Sequence, residues 1–267
     1  MSGKQTVLLI GAGGGMGRAA AKLLHQKGYS VIGMDCQPID SSDLCTVLTA
    51  DVTDPEAVEH ARRSIESEHF DAIVYMAGLY DMDSLIEIDE ARMRRIFEVN
   101  VFGAYRTIRA FAPQMNPHGR VVLVTSELAP LDPLPFTGLY GITKGTLESY
   151  AFSLAMELQL LDVTVSVIRP GAVQTPLLNR SVERIESFAA KTEHYPNQAE
   201  RFLSVTRRVE SKSVPPEAIA NKLLRILNAK RPRFLYRLNS NPLLNLYGIL
   251  PKQVKLWTIK TYLKPKA

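Results

Sequence analysis

A glycine-rich turn between an apolar run and an amphipathic segment constrains this sequence most. Residues 5–10 have the pattern of a short buried strand, and residues 15–27 carry small and apolar side chains at helical spacing. The turn between them contains Gly11, Gly14, Gly15, Met16 and Gly17. Glycines let the backbone approach a pyrophosphate, and a helix N-terminus presents N–H groups and partial positive charge to it. The pattern predicts a dinucleotide phosphate site, against the alternative of a glycine connector without a ligand.

Strand-like and helical segments continue to alternate along the chain. Strand-like runs recur at 30–34, 46–48, 72–76, 121–124 and 163–168, with helical stretches at 55–67, 88–111 and 140–160. Pro215 and Pro216 begin a further helix, and residues 234–236 are predicted as the last strand. Such alternation indicates a parallel sheet with helices on both faces, and 267 residues suit one large α/β unit.

We therefore predict a single α/β domain of Rossmann type, with a doubly wound parallel sheet and helices on both faces. The cofactor-binding and catalytic domain is predicted over residues 1–240. Within it, residues 174–213 are polar and weakly periodic, which predicts a helical flap over the substrate. Residues 241–267 are predicted as a basic amphipathic tail.

The net charge of +5 is unevenly distributed. Nine of the basic residues and no acidic residue lie from Lys230 onward, so the preceding part of the chain is net acidic. This distribution, without a recognition motif, argues against nucleic acid as a partner. Two cysteines and no secretory pattern predict a reducing, cytoplasmic setting, and no apolar run approaches the ~20 residues of a membrane-spanning helix. No metal site is expected.

Acidic and small residues follow three of the predicted strands, where ligands of open α/β sheets gather. Asp35 ends the second strand at the distance typical of a ribose-binding carboxylate, which favours NAD over NADP. Arg18 leaves NADP open, since it either meets a 2′-phosphate or is a solvated residue of the first helical turn. Asp51 and Val52 either hold the adenine, or Asp51 caps a turn. Ala77 and Gly78 are small enough for the cofactor to lie against the backbone.

Tyr140 and Lys144 lie four positions apart at the start of a predicted helix, so they share one face. An ammonium near a phenol favours the phenolate and is expected to lower the phenol pKa from ~10 towards the working range of a general acid or base. Alone the pair is a weak motif, because Tyr and Lys at this spacing are common on helix surfaces.

Three neighbouring features strengthen that interpretation. Asn100 breaks an apolar helical stretch, Ser126 follows a strand, and Pro170–Gly171 follows the strand that ends at Ile168. With these residues the chain resembles the short-chain dehydrogenase/reductase family over about residues 5–227. The resemblance rests on one ordered set of motifs: Gly11, Gly15 and Gly17, then Asp51, Ala77–Gly78, Asn100, Ser126, Tyr140, Lys144, Pro170–Gly171 and Thr175.

The resemblance implies a role for each residue. Tyr140 exchanges a proton with the substrate oxygen, and Ser126 hydrogen-bonds that oxygen. Lys144 binds the nicotinamide ribose and tunes Tyr140, while Asn100 holds a water of a proton relay. The segment from Pro170 through Gly171 and Val173 to Thr175 encloses the carboxamide end of the cofactor. The cofactor itself supplies the hydride chemistry.

The chain departs from the family pattern at several positions. Ile10 stands where Thr is common, and Met76 where Asn is common. The interval from Ser126 to Tyr140 is one residue longer than expected, and Thr125 is an adjacent hydroxyl. Glu127 faces either the substrate or solvent, and the sequence does not decide between them.

Apolar residues dominate the segments expected to select the substrate. They suggest a lipophilic substrate, although ordinary packing would give the same composition; they include Leu128, Leu131, Leu134, Phe136, Leu177 and Leu178. The tail resembles tails of the hydroxysteroid and retinol dehydrogenase-like branch, which handles hydrophobic alcohols and ketones. The predicted function is therefore reversible oxidation of a secondary alcohol of that kind. The alternatives are a reductase of 3-oxoacyl thioesters and a non-catalytic NAD-sensing or scaffold protein.

Two contacts with other bodies are also predicted. Pro251 can start a helix with Leu256, Ile259 and Leu263 on one side and Trp257 beside them, while Lys252, Lys255, Lys260 and Lys264 lie elsewhere. Such a helix lies on an anionic membrane surface, or packs on its own domain or a partner subunit. The family resemblance implies a homodimer or homotetramer through the helices around 91–112 and 144–160.

Overall fold

The computed structural model describes residues 4–210 and 212–264; the side chains of 179–182, 205 and 207–210 are not described. The ends of the predicted domain and tail, 1–3 and 265–267, and Ser211 of the predicted flap lie outside the described residues. Within these limits seven strands form one parallel sheet in the order β3-β2-β1-β4-β5-β6-β7. They are β1 Thr6–Ile10, β2 Ser30–Asp35, β3 Thr46–Thr49, β4 Phe70–Tyr75, β5 Met115–Val124, β6 Thr164–Pro170 and β7 Leu235–Leu238.

Helices cover both faces of the sheet. In the described part of the chain they are α1 Gly15–Gln26, α2 Pro55–Ser64, α3 Glu90–Phe97, α4 Gly103–Phe111, α5 Gly138–Leu158, α6 Pro176–Lys191, α7 Pro196–Glu210, α8 Glu217–Leu227, α9 Pro242–Gly248 and α10 Lys252–Leu263. Strand β1 shows why two layers form, because alternate side chains point to opposite faces. Leu8 and Ile10 join the core beneath α2, α4 and α5, whereas Val7 and Leu9 join the core beneath α1 and α8. The single-domain, doubly wound α/β prediction is confirmed.

Local sequence explains where several helices begin. Asp54 accepts hydrogen bonds from the N–H groups of Glu56 and Ala57 at 2.9 and 3.2 Å, and Pro55 occupies the first turn of α2. Thr175 caps α6 in the same way ahead of Pro176. These caps fix the points at which α2 and α6 begin, each after a short loop beyond the end of a strand.

The helix predicted over 88–111 is interrupted in the structure. Residues Glu98–Phe102 form a π-helical turn between α3 and α4. One wide turn admits an extra residue per turn and redirects the side chains within it. The fully buried Asn100 lies in this turn.

The chain from Thr175 to Glu210 forms the helical pair α6 and α7, which packs beside the carboxyl edge of the sheet. A small core of its own joins this pair to the rest: Met82, Phe136, Ile185, Phe188, Ala199, Phe202 and Leu263. Phe136 contacts the rings of Phe188, Tyr195 and Phe202 with centroid distances of 4.8, 5.4 and 5.5 Å. The φ angle of Phe136 is 64°, which is unusual for a residue with a large side chain. The contacts with the three rings stabilise this backbone conformation.

The tail forms two helices, α9 and α10. The buried side of α10 differs from the side predicted from the sequence. Lys255 and Leu263 are buried, and Ile259 is partly buried against the small core. Leu256 does not join them, because it is 65% exposed, as is Trp257. Lys255 donates to Asp132 at 2.9 Å and to the Gly248 carbonyl at 2.8 Å, so it belongs to the packed side of the helix, contrary to the prediction. The domain boundary near residue 240 stays a prediction.

Candidate active site

A groove of about 420 Å³ opens at the carboxyl ends of β1, β2 and β4. The glycine turn forms its floor, and a Cβ on Gly17 would lie 2.1 Å from the Gly11 carbonyl oxygen. Only glycine is compatible with that approach. No side chain caps α1 at Gly14, so its first N–H groups face the groove uncapped. These features fit a dinucleotide phosphate.

Most of the predicted cofactor residues meet in this groove. They are Gly11, Gly14, Gly15, Met16, Gly17, Asp35, Asp51, Val52, Ala77, Gly78 and Thr175. Three others, Pro170, Gly171 and Val173, line the adjoining pocket described below. The sequence positions span more than 160 residues, so this convergence is a property of the fold and not of any local segment.

Asp35 is held at the glycine turn. Its Oδ2 accepts a 2.8 Å hydrogen bond from the Gly13 N–H, and its Oδ1 accepts from the Gln37 N–H at 3.2 Å. The carboxylate therefore lines the groove in a fixed orientation, beside the turn expected to hold the phosphates. Gly13 was not among the residues singled out in the sequence, although its lack of a Cβ is what admits Asp35: a Cβ there would lie 2.9 Å from Oδ2.

Asp51 caps a turn and also lies in the groove, so its adenine-binding role stays a prediction. It lines the groove, and its Oδ1 accepts from the N–H and the hydroxyl of Thr53 at 2.9 and 2.8 Å, as in a capped turn. Arg95 contacts its other oxygen at 3.0 Å. Burial acts to raise the pKa of Asp51, but the hydrogen bonds from Thr53 and Arg95 outweigh it, and the pKa is lowered. Arg95 is a groove residue that no sequence motif indicated.

A second, apolar pocket of about 210 Å³ adjoins the groove. The two share several lining residues: Met16, Met76, Gly78, Leu79, Thr175 and Leu177. Ser126, Tyr140 and Lys144 all line this pocket. Three of the four predicted catalytic side chains are thus brought together at the point where the pocket meets the groove.

Tyr140 lies on the first turns of α5 and is 8% exposed. Burial raises its pKa to about 12, against a hydrogen bond with Ser126 that lowers it. The expectation that Lys144 would hold this pKa below 10 is wrong for the cofactor-free protein. Desolvation of the phenolate dominates here, because the ring is enclosed and Tyr80 packs against it with a centroid distance of 4.5 Å and an interplanar angle of 49°. At neutral pH the phenol therefore carries its proton.

Lys144 follows one helical turn later and is 5% exposed. Its Nζ donates to the Val124 carbonyl at 3.2 Å and lies 5.8 Å from the centroid of the Tyr140 ring. Burial lowers the pKa of Lys144 to about 8. The ammonium is therefore close to its point of deprotonation at physiological pH, which suits a group that adjusts a neighbouring acid.

Asn100 lines neither cavity but connects the elements behind them. Its Oδ1 accepts from the Leu79 N–H at 2.7 Å, and its Nδ2 donates to the Leu79 carbonyl and the Thr143 hydroxyl, both at 3.0 Å. Both the loop after β4 and helix α5 are thus fixed by one amide. A Cβ on Gly78 would lie 3.4 Å from Asn100 Oδ1 and 3.2 Å from Lys144 Nζ, so the amide and the ammonium flank the same point.

The structure distinguishes Ser126 from its neighbour Thr125. The Thr125 hydroxyl is directed at Glu148 and the Ile168 carbonyl, at 3.3 and 3.4 Å. Glu148 in turn forms a largely buried ion pair with Arg169 on β6. The Ser126 hydroxyl instead bonds with Tyr140 and accepts from the Leu128 N–H at 3.2 Å. Ser126 therefore faces the reacting end of the pocket.

Several pocket residues had no signal in the sequence. Tyr80 lies in an irregular segment after β4, and Leu244 belongs to α9 in the tail. Glu127, which the sequence left undecided, lines the pocket. Only the folded arrangement places these residues beside Tyr140, since no spacing rule relates them to it.

Two further features concern the described residues alone. Among residues 4–210 and 212–264, no three His, Cys, Asp or Glu side chains gather as candidate metal ligands. No helix in that part of the chain is both long and apolar enough to cross a membrane.

Comparison with known proteins agrees with this geometry. A family model described as short chain dehydrogenase matches residues 5–186. A 3-ketodihydrosphingosine reductase of Bacteroides thetaiotaomicron is 25% identical over 234 residues, 86% of each chain. Human 17-beta-hydroxysteroid dehydrogenase type 1 is 31% identical over 192 residues, 71% of this chain and 58% of that protein. A short chain dehydrogenase/reductase of Burkholderia phymatum in complex with NAD has a TM-score of 0.73 at 20% identity, covering 99% of this chain and 98% of that one.

The matched family model spans more than half of the chain. The glycine turn, the groove and the cluster of Ser126, Tyr140 and Lys144 all lie within the matched residues. The protein therefore belongs to the short-chain dehydrogenase/reductase family and is an NAD(P)-dependent oxidoreductase.

Proposed function

We propose that the protein interconverts a lipophilic secondary alcohol and its ketone, with NAD as the preferred cofactor. The observation that carries this proposal is the cluster of Ser126, Tyr140 and Lys144 at the junction of an apolar pocket and a dinucleotide groove. A bound nicotinamide dinucleotide would supply or accept the hydride. The protein supplies the proton, the orientation and the exclusion of water.

In the direction of reduction, Tyr140 donates its proton to the carbonyl oxygen as the substrate carbon gains a hydride. The raised pKa of the phenol means that this proton is present at neutral pH. Ser126 donates a hydrogen bond to the same oxygen, and Lys144 stabilises the phenolate that remains. Asn100 holds the Leu79 loop and α5 in register, and a water on this amide relays the proton that restores Tyr140.

The preference for NAD rests on Asp35. Its carboxylate faces the groove beside the glycine turn and repels the 2′-phosphate of NADP, while it accepts hydrogen bonds from a 2′-hydroxyl. Arg18 also lines the groove and is the residue that would favour NADP. We expect Asp35→Ser to lower the ratio of kcat/KM for NADH over NADPH by at least about tenfold.

The control for this experiment is Asp40→Ser, which removes the same charge from an exposed position outside the groove. It should leave the ratio unchanged. Equal use of NADH and NADPH by the native protein contradicts the proposed preference.

The lipophilic substrate rests on the pocket walls, which are formed largely by leucines, methionines and aromatic rings. A pantetheine-linked 3-oxoacyl thioester is the main alternative substrate. A panel of long-chain and steroid ketones and 3-oxoacyl thioesters, followed at the NADH absorbance, separates the two. Higher kcat/KM for the thioesters than for all free ketones would contradict the proposal.

The tail contributes both to the pocket and to an exposed apolar surface. Leu244 lines the pocket, while its neighbours Leu243 and Leu246 are 74% and 58% exposed on the same short helix. Ile249 and Trp257 are 79% and 65% exposed beyond it. With exposed lysines and no acidic residue after Lys230, we infer that this surface contacts an anionic membrane from which a lipophilic substrate enters.

Flotation with vesicles of phosphatidylcholine and phosphatidylserine tests this contact. The double variant Leu246→Ser/Trp257→Ser should lose binding, whereas Leu160→Ser, at an 82% exposed leucine away from the tail, should retain it. Equal partition of native and double-variant protein overturns the membrane contact. The cytoplasmic location of the protein is part of the same proposal.

A second apolar surface supports a homodimer or homotetramer. Phe102, the last residue of the π-helical turn, and Tyr105 on α4 are 46% and 43% exposed, and Phe152 and Met156 on α5 are 55% and 49% exposed. Such an apolar surface is typical of an interface between subunits. Light scattering of the native protein should give a mass of two or four chains, and Phe152→Glu should reduce it. A monomeric native protein contradicts this assembly.

A further inference from the structure

Glu127 is the one acidic side chain that lines the apolar pocket among its described residues. It directly follows Ser126, and its N–H donates to the Pro170 carbonyl at 2.8 Å, which holds its backbone at the carboxyl end of the sheet. A carboxylate in a pocket with largely apolar walls requires an explanation, because removal of a charge from water is costly unless a partner compensates.

The position of the carboxylate is well defined. Its Oε2 accepts a 2.7 Å hydrogen bond from the Asn241 N–H, at the start of α9. Its Oε1 lies 3.0 Å from the point that a Cβ on Gly171 would occupy, directly over the backbone of that residue. The charge is close enough to Tyr140 to contribute to the raised pKa of the phenol. Glu127 therefore lies at the reacting end of the pocket.

Among the side chains that the structure describes, which exclude those of 179–182, 205 and 207–210, no Lys, Arg or His nitrogen lies within 4.0 Å of this carboxylate. The arginine nearest in sequence, Arg169, is paired with Glu148. Burial raises the pKa of Glu127, opposed by the Asn241 N–H alone. Oε1 thus retains its acceptor capacity towards the pocket.

We propose that Glu127 binds a protonated amine of the substrate beside the reacting carbon, so that the substrates are lipophilic amino alcohols and amino ketones. The apolar walls accommodate the chain, and the ammonium forms a charge-assisted hydrogen bond with Oε1. In oxidation, the Tyr140 phenol first releases its proton to solvent, and the substrate hydroxyl then passes its proton to the phenolate. A bound nicotinamide would accept the hydride from the carbinol carbon, while the ammonium is unchanged. This inference rests on the proposed function and specifies its substrate.

The test compares two alcohols that differ only in the amine, 2-aminodecan-3-ol and decan-3-ol. Their oxidation with NAD is followed for the native protein, Glu127→Gln and the control Glu200→Gln, which removes an exposed charge from α7. The glutamine variant keeps an oxygen that can accept from the Asn241 N–H, so the contact with the tail is preserved. Calorimetric binding of both alcohols to each NADH-saturated protein is the second measurement.

The native protein should favour the amino alcohol by about tenfold or more, both in kcat/KM and in affinity. Glu127→Gln should abolish that preference by raising the KM of the amino alcohol more than the KM of decan-3-ol, while Glu200→Gln should behave as native. Equal affinity of the native protein for the two alcohols overturns the inference. So does an equal loss for both alcohols in Glu127→Gln, which indicates a purely structural role. Absence of turnover with intact amine-dependent binding contradicts the proposed reaction but supports the amine site.

Discussion

Replacement of Lys144 by methionine should stabilise the cofactor-free protein while it removes activity. Burial lowers the pKa of Lys144 to about 8 from an ordinary 10.5. One pKa unit corresponds to about 1.4 kcal/mol, so the protonated side chain costs the folded state about 3 kcal/mol at pH 7. The substitution also loses the hydrogen bond to the Val124 carbonyl, worth about 1.5 kcal/mol for a charged donor. The expected net gain is about 1–2 kcal/mol.

This gain should depend on pH in a defined direction. Between about pH 8 and 10.5 the unfolded chain binds a proton at Lys144 that the folded protein does not, so the stability of the native protein rises with pH. The advantage of Lys144→Met is therefore largest at pH 7 and is lost towards pH 10.5.

Urea unfolding without nucleotide, at several pH values, measures this effect. A gain of 1–2 kcal/mol corresponds to a shift of roughly 0.5 M in the midpoint at pH 7. Lys22→Met, on the exposed surface of α1, is the matched control and should show no comparable pH-dependent gain. A Lys144→Met protein less stable than native at pH 7 would refute the reasoning, because it would show that the ammonium is not penalised by burial.

Three further substitutions test separate parts of the structure by urea unfolding. Gly17→Ala should destabilise the folded protein by at least about 2 kcal/mol, because its Cβ would lie 2.1 Å from the Gly11 carbonyl oxygen. Gly14→Ala should have little effect, because its Cβ would lie 3.5 Å from the same oxygen. Equal losses in the two variants would contradict the close approach at Gly17. Arg169→Met should cost about 3–5 kcal/mol because it leaves the Glu148 carboxylate buried without its partner, and a neutral result would show that the pair is solvated. Asn100→Ala should cost about 2–3 kcal/mol and lower kcat with little change in the KM for nucleotide; unchanged kcat would remove its positioning role.

The sequence predicted the elements that depend on local pattern. The strand–glycine turn–helix unit, the order of strands and helices, and the grouping of most cofactor residues follow from periodicity and from the rule that ligands gather at the carboxyl ends of parallel strands. Asp35 and Asp51 could be selected from the sequence because each follows a predicted strand, and this position predicts that they lie at the ligand-binding edge of the sheet. The same rule could not indicate Gly13 or Arg95, whose roles depend on contacts across the groove.

Other features depend on packing that no local pattern reveals. The π-helical turn at Glu98–Phe102 appeared in the sequence only as a polar break at Asn100. The pKa of Tyr140 rises because of enclosure by distant segments, including Tyr80, which outweighs the nearby ammonium. Lys255 was predicted to lie away from the apolar side of its helix, yet it is buried and forms a salt bridge with Asp132. In each case a tertiary contact overrode the local expectation.

The most direct test of the central claim is the activity of Tyr140→Phe with NADH and a lipophilic ketone. This variant keeps the ring that packs against Tyr80 and removes only the hydroxyl, so nucleotide affinity and thermal stability should be close to native. We expect kcat to fall by about a hundredfold or more, as for loss of a general acid. An unchanged kcat, with NADH still bound, would contradict the assignment of Tyr140 as the proton donor.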